Sequence, residues 1–161
     1  MNVRAVWWFW SLVALQVVFL LGWAGYHETV RRSAPTVLLK TKPVDPRDLL
    51  RGDYILLGYE IADVALPAET AIGADVWVLL EPHGRYYEAV SASRERPALQ
   101  YRQIAVRAQK GGRGVNFGIE HFYVPEGKGT PAFTTLEVEA SVSPTQQLYI
   151  KHLLLDGKPY P

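Results

Sequence analysis

The most informative absence in this chain of 161 residues is cysteine, of which there is none. Without thiols the protein cannot form disulfide bonds, use a cysteine nucleophile or bind zinc through thiolates. An excess of charge is also missing, because 17 Lys and Arg face 16 Asp and Glu and leave a net charge of +1. A dedicated nucleic-acid binder needs a basic surplus. We therefore expect neither thiol chemistry nor a nucleic-acid partner.

Metal-binding and phosphate-binding motifs are missing as well. The sequence has four histidines, His27, His83, His121 and His152. They form no H-x-H or H-E-x-x-H spacing. Glu120 and His121 are adjacent, and adjacent side chains point to opposite faces of a strand, so the two cannot share one ion. The stretch from Gly111 to Gly114 lacks the Lys-Ser/Thr pair of a phosphate loop and predicts a hairpin turn. We predict no metal, no cofactor and no catalytic residue.

The N-terminal part of the sequence contains a long apolar run, Ala5 to Tyr26, without a charged residue. Eighteen of its 22 residues are hydrophobic, and as a helix the run would be roughly 33 Å long. A helix of that length spans the hydrocarbon core of a bilayer, about 30 Å. Aromatic residues lie near both ends, as in interfacial belts: Trp7, Trp8, Trp10, Trp23 and Tyr26. We predict one transmembrane helix, with residues 1–27 as the anchor.

A cleaved signal peptide is the competing interpretation of this run. Signal peptides have a shorter apolar region followed by small residues in an A-x-A pattern. Here the run ends with the bulky rings of Trp23 and Tyr26, which favours a retained anchor. Arg4 precedes the run, whereas Arg31 and Arg32 follow it, and long domains cross membranes largely regardless of charge. The basic residues therefore leave the orientation of the anchor undecided.

The rest of the chain has the pattern of a β-rich domain at residues 37–161, after a juxtamembrane linker at 28–36. Short apolar or alternating segments are separated by Gly and Pro, which is typical of an antiparallel sandwich or partly closed barrel. The predicted strands are Thr36–Thr41, Tyr54–Ile61, Ala74–Leu80, Tyr86–Val90, Gln100–Ala108, Val115–Phe117, Glu120–Val124, Thr135–Val142 and Gln147–Leu155. Within Tyr54–Ile61, alternation predicts that four residues share the buried face: Ile55, Leu57, Tyr59 and Ile61.

Two blocks of this domain resemble the GDYxxLxY family of bacterial membrane-anchored proteins. In the first block Gly52, Asp53, Tyr54, Leu57 and Tyr59 occupy the motif positions. The second block is FGIEHFYVPEGKG, residues 117–129. The resemblance covers the chain from residue 37 onward and implies an N-terminal anchor in the bacterial inner membrane, with the domain facing the periplasm or exterior. It implies no assigned activity.

A second likeness concerns the start of the domain. A Pro-containing turn that leads into Gly-Asp and a strand, soon after an anchor, is similar to the start of the signal-peptidase fold. That family has its serine nucleophile eight residues before the glycine, where this chain has Val44, and a general-base lysine, where this chain has Arg107. Arginine does not deprotonate usefully. A shared fold would therefore lack the serine-lysine dyad.

The candidate binding residues come from the two blocks: Gly52, Asp53, Tyr54, Tyr59, Glu120 and Glu126. The leading hypothesis is a non-enzymatic interaction or assembly module with a membrane or periplasmic protein partner. The loop at residues 124–129 is the first candidate for that contact. The alternative is a hydrolase-like or ligand-binding domain that uses Asp53, Glu120 and Glu126 as acids. Glu137 and Glu139 lie on one face of a predicted strand, and we expect that face to be a solvated edge; the alternative is a paired-carboxylate site for acid–base work.

Overall fold

A computed structural model describes residues 3–32, 34–42, 54–123 and 134–160 of the chain. It divides into two compact units, residues 1–34 and 35–161. The first unit is the helix α1, Val3–Arg32. Within it the segment Trp7–Thr29 is long and apolar enough to cross a membrane, and none of its side chains is buried. A helix of this kind near the N-terminus is also compatible with a signal sequence.

The second unit is built almost entirely of antiparallel strands. In chain order they are β1 Thr36–Lys40, β2 Tyr54–Leu56, β3 Asp75–His83, β4 Tyr86–Ser93, β5 Ile104–Lys110, β6 Val115–Asn116, β7 His121–Tyr123, β8 Leu136–Val142, β9 Leu148–Leu155 and β10 Lys158–Tyr160. A 3-10 helix, Glu60–Asp63, follows β2. One four-stranded sheet has the order β1-β8-β9-β10 and the other has the order β4-β3-β5-β6. The strands β2 and β7 form a separate two-stranded ribbon.

A single hydrophobic core lies between the two four-stranded sheets. Alternation explains how each strand contributes to it: Val76, Val78 and Leu80 of β3 are buried, whereas the residues between them are partly exposed. Val37 and Leu39 of β1 belong to the same buried cluster as the β3 residues. The edge strands β1 and β4 of the two sheets are neighbours. The prediction of a mainly β, antiparallel fold after one apolar N-terminal helix is confirmed.

The predicted strand Tyr54–Ile61 needs a correction, although its alternation is right. The structure ends β2 at Leu56, pairs Tyr59 with Thr41 in an isolated bridge, and begins the 3-10 helix at Glu60. Leu57, Tyr59 and Ile61 are nevertheless buried, as predicted, while Leu56 is 52% exposed. The chain keeps an extended backbone through Tyr59, so side chains continue to alternate after the ladder of β2 has ended.

Other differences lie at strand ends and in the last residues. The expected connection at residues 81–85 is shorter, because β3 continues through Pro82 to His83 and only Gly84 and Arg85 form the turn. The strand predicted from Gln100 begins at Ile104. The strand β10 was not predicted from the sequence. Asp156 and Gly157 form the expected tight turn, and the three residues that follow pair back onto β9.

Candidate functional site

The second half of the GDYxxLxY pattern is anchored in the core. Tyr59 is 1% exposed, and its hydroxyl donates a hydrogen bond to the Ile119 carbonyl oxygen at 2.7 Å. Burial, and after it the negative charge of Glu120, raises the pKa of Tyr59 well above its usual value. The phenol is therefore neutral at physiological pH and acts as a hydrogen-bond donor to the second block.

Glu120 organises the turn that carries Ile119. Its carboxylate accepts hydrogen bonds from the backbone N–H groups of Phe117, at 2.5 Å, and Gly118, at 2.9 Å. Gly118 has a φ of +82°, a conformation that a residue without Cβ adopts at no steric cost. The backbone carbonyl of Glu120 in turn accepts a hydrogen bond from the Leu57 N–H at 2.7 Å. Side chain and backbone of Glu120 thus fix the contact between the two blocks.

The same two blocks continue into the ribbon. Tyr54 pairs with Tyr123, Ile55 with Phe122 and Leu56 with His121. Phe122 packs on the core, with its ring centroid 6.4 Å from that of Tyr160. His121 and Tyr123 lie on the other face of β7, and Leu56 lies directly opposite His121. We call Leu56, His121 and Tyr123 the ribbon face; all three are exposed, Tyr123 at 73%.

The structure brings together some of the residues predicted to form a site. The Tyr59 hydroxyl bonds the carbonyl of Ile119, the residue before Glu120, and the backbone of Tyr54 lies at the start of the ribbon. Gly52, Asp53 and Glu126, as well as the loop at residues 124–129, lie outside the described residues. Within the described parts of the chain, no group of three or more His, Asp or Glu residues is arranged to hold a metal ion.

A cleft of about 220 Å³ lies next to the end of the motif. It is formed by β1, the 3-10 helix and β4, and its charged lining residues are Lys40, Glu60, Asp63 and Glu88. Asp63 also forms an ion pair with Lys42, with 2.7 Å between Nζ and Oδ1. The sequence did not predict this cleft. Its residues belong to three separate elements, and alternation within one strand does not show which strands become neighbours.

The environment of Glu137 differs from the one that we expected. Glu137 does not lie on a solvated edge beside Glu139, because it is only 7% exposed. Its carboxylate accepts hydrogen bonds from Arg85, at 2.9 Å, and from the Tyr86 hydroxyl. The hydrogen bond to Glu137 raises the pKa of Tyr86, because it stabilises the neutral phenol. Glu137 thereby joins β8 of one sheet to the β3–β4 turn and β4 of the other.

The comparisons with known proteins assign a family to most of the chain. The family model for the GDYXXLXY protein matches residues 16–153, which include both blocks and part of the apolar helix. The chain belongs to the GDYXXLXY family. The family has no assigned activity. Neither the search of characterised proteins nor the search of solved structures gives a match.

In the GDYXXLXY chain described here, the two blocks have a common physical role. Residues about 60 positions apart are joined by the Tyr59 hydroxyl, the Leu57 amide and the β2–β7 pairing. Leu57 and Tyr59 of the motif supply core contacts, and the second block supplies hydrogen-bond acceptors for them. The described half of the motif therefore positions the ribbon face. The signal-peptidase likeness gains no support, since no solved structure matches.

Proposed function

We propose that this GDYXXLXY protein is anchored in a bacterial inner membrane by residues 1–27, and that its β-domain binds a protein partner outside the cytoplasm without catalysing a reaction. Residues 28–36 are the linker and 37–161 the binding domain. The observation that carries the proposal is the ribbon face. It presents Leu56 and Tyr123 to solvent at the place where both family blocks meet.

Three physical features support a binding role for this face. Aromatic side chains such as Tyr are enriched where proteins bind one another, because they offer a large contact area at low entropic cost. The ribbon is rigidly attached, since Phe122 packs on the core and Leu57 and Tyr59 hold the second block. A helix fit to cross a membrane raises the local concentration of the domain near any membrane-bound partner.

The alternative function, a hydrolase-like or ligand-binding domain, needs Asp53 and Glu126 to converge with Glu120. The two amide hydrogen bonds to the Glu120 carboxylate give that side chain a role in holding a turn. The buried Tyr59 phenol is equally committed to Ile119. These contacts favour the interaction module, in which the motif supports a surface.

Site-specific photocrosslinking of the full-length chain tests this proposal. A benzophenone amino acid at position 123 in living cells is expected to give a discrete adduct with one membrane or periplasmic protein. Leu56→Asp in the same chain is expected to reduce that adduct about tenfold, because a charge placed on the ribbon face would be desolvated on binding. The matched control has the photoreactive group at Tyr149, which is 54% exposed. Tyr149 belongs to β9 of a four-stranded sheet and not to the ribbon.

Equal adducts from positions 123 and 149, or no adduct from position 123, would contradict the proposed binding face. An adduct whose mass equals two copies of this chain would identify the partner as a second copy. Orientation is tested separately with a phosphatase or fluorescent-protein reporter fused after Pro161. A reporter active only in the cytoplasm would overturn the extracytoplasmic assignment, whereas the proposed orientation predicts periplasmic activity.

A further inference from the structure

The connection between β4 and β5 has an unusual course. The strand β4 ends at Ser93, opposite Trp77, whereas β5 begins at Ile104, opposite Leu80, so the chain between them returns along the sheet. We call residues 94–103 the crossover segment. At its beginning Arg94 donates hydrogen bonds to the carbonyls of Ala68, at 3.2 Å, and Glu69, at 3.0 Å. Its other end is held by a hydrogen bond from Gln103 to Glu81.

The crossover segment lies over the outer face of the β3–β5 sheet. Trp77 alternates with the buried Val76 and Val78, so its ring is on the face opposite the core. The Arg96 guanidinium lies 5.7 Å from the centre of this ring, and the Arg107 guanidinium lies 5.9 Å from it. The segment is therefore seated on the sheet by stacking on Trp77 as well as by its two end contacts.

Large side chains of the crossover segment point into solvent. Tyr101 is 92% exposed and Leu99 is 45% exposed. The turn that carries Tyr101 is closed by a hydrogen bond from the Gln103 N–H to the Gln100 carbonyl at 3.1 Å, and Arg102 within it has a φ of +63°. These exposed apolar surfaces are held in place by an ordered turn and are not covered by any other part of the described domain.

Charge is concentrated in the same region. Residues 94–113 contain six Lys and Arg and a single acid, Glu95, in a chain whose overall charge is nearly balanced. Part of this charge is compensated, since Asp75 pairs with Arg107 at 3.1 Å. Arg96 and Arg102 are exposed on the crossover segment, on either side of Leu99 and Tyr101. The crossover segment thus carries exposed arginines before and after an exposed apolar and aromatic tip in the sequence.

We propose that the crossover segment binds the anionic surface of a lipid bilayer. The guanidinium groups of Arg96 and Arg102 match the geometry of lipid phosphates, with which arginine forms bidentate hydrogen bonds. Tyr101 and Leu99 suit the interfacial layer, where the apolar part of a side chain is buried and a polar tip stays wet. This binding surface is separate from the ribbon face, and the inference does not depend on the proposed protein partner.

A bilayer explains the crossover segment better than an acidic protein does. Arginine and tyrosine are both common in protein interfaces, so these residue types fit either ligand, and the depth at which each group would bind makes the distinction. A bilayer surface binds both kinds of group at once: its phosphates bind the arginines, and the apolar side chains enter slightly deeper. The chain also contains a helix that is apolar enough to enter a membrane, so a bilayer is a nearby ligand.

The absence of cysteine makes a direct experiment possible. A Tyr101→Cys variant of the full-length chain contains one thiol, which can be labelled with a small fluorophore and placed in nanodiscs with quencher-bearing lipids. We expect at least about twofold stronger quenching in discs with phosphatidylglycerol than in discs of phosphatidylcholine alone. About 0.5 M NaCl is expected to abolish the difference, because salt screens exposed charges.

Charge variants identify the residues responsible. Arg96→Glu with Arg102→Glu is expected to remove the phosphatidylglycerol-dependent quenching of the label at position 101. Arg96→Gln with Arg102→Gln is a milder pair that keeps the proposal testable if the reversal disturbs folding. The matched control, Lys151→Glu with Lys158→Glu, makes the same change in net charge on β9 and β10 and should leave the quenching unchanged.

A second label position separates lipid binding from general proximity to the disc. The same fluorophore on His152→Cys, an exposed position of β9, is expected to show no dependence on lipid charge. Equal quenching at positions 101 and 152, or quenching that does not depend on phosphatidylglycerol, overturns the proposal. So does a response of the position-101 label to added poly-glutamate in neutral discs without a response to phosphatidylglycerol, which would indicate an acidic polypeptide as the ligand.

Discussion

The hydrogen bond from the Tyr59 hydroxyl to the Ile119 carbonyl joins the last motif residue to a segment 60 positions later in the chain. The bond is buried and 2.7 Å long. The Ile119 carbonyl lies next to Glu120, whose own carbonyl accepts the Leu57 amide. Because these contacts come immediately before β7, they fix the ribbon and with it the proposed partner surface.

Tyr59→Phe is expected to destabilise the domain by about 1–3 kcal/mol, because the ring still fills its place but the buried Ile119 carbonyl loses its donor. Chemical denaturation of the full-length chain in detergent, followed by near-ultraviolet circular dichroism, measures this change. Tyr149→Phe is the control, since Tyr149 is exposed and we expect a change within about 0.5 kcal/mol. Equal stability of the two variants would show that the Tyr59 hydroxyl does not hold the blocks together.

The carboxylates Glu137 and Glu139 offer a second matched comparison. Glu137 is buried and accepts hydrogen bonds from Arg85 and Tyr86, whereas Glu139 forms a more exposed ion pair with Lys151 at 3.2 Å. Glu137→Ala is expected to lower the free energy of unfolding by about 1–3 kcal/mol, because hydrogen bonds to a charged group are lost. Arg85 stays hydrated in this variant, since its side chain is partly exposed. Glu139→Ala should cost at most about 1 kcal/mol.

Denaturant titration of the Glu137→Ala and Glu139→Ala variants measures both losses in the free energy of unfolding. The same experiment with Arg85→Ala and with the double variant Arg85→Ala/Glu137→Ala gives the coupling between the two residues. Additive effects of the two single substitutions would contradict a direct contribution of this pair to the joint between the sheets.

The difference in burial between Glu137 and Glu139 could not be predicted from the sequence. Alternation along β8 correctly separates Leu136, Val138 and Ala140, which face the core, from Glu137 and Glu139. It cannot show that Arg85 and Tyr86 of the other sheet approach one of the two glutamates and leave the other more exposed. That difference arises from sheet packing, which local periodicity does not encode.

The same limit applies to the motif. The burial of Leu57 and Tyr59 followed from the period of two in an extended chain, and the structure confirms it. The pairing of β2 with β7 did not follow, since it joins segments more than 60 residues apart. The family resemblance identified both blocks but not the contact between them. The physical reason, one block supplying donors and the other acceptors, required the fold.

Alkaline pH is expected to weaken the joint at Glu137 through Tyr86. The neutral Tyr86 phenol donates to Glu137, so its pKa is raised in the folded protein relative to an unfolded value of about 10. The stabilisation is therefore fully present below pH about 10 and is lost as the pH rises through the folded-state pKa. Wild type should lose more stability than Tyr86→Phe across this alkaline range.

Unfolding titrations between neutral pH and about pH 11 measure that difference, and the comparison cancels contributions from other groups that both chains share. Tyr149→Phe is the control, because it removes an exposed tyrosine of β9 whose hydroxyl lies near Gln147 and not Glu137. If wild type and Tyr86→Phe lose stability in parallel, Tyr86 does not couple its proton to the folded state.

Two neighbouring glycines in the β5–β6 turn are expected to respond very differently to alanine. Gly114 has a φ of +72°, and a Cβ built on it would lie 2.1 Å from the Ala62 carbonyl oxygen of the 3-10 helix. That contact is with backbone, so the helix that follows the motif or the turn itself must move. Gly114→Ala is expected to cost at least about 2 kcal/mol, the left-handed conformation alone accounting for about 1–2 kcal/mol.

Gly112→Ala is the matched control, since a Cβ there meets no atom within 4 Å and its φ is not in the left-handed region. Its effect is expected to remain within about 1 kcal/mol, because only local backbone entropy changes. Denaturant titration gives both values, and labelling of a Tyr123→Cys variant reports whether the ribbon face moves. If the two alanine variants lose similar amounts of unfolding free energy, the β5–β6 turn is not tightly packed against the 3-10 helix. The close approach of Gly114 to Ala62 would then not help to fix the end of the motif.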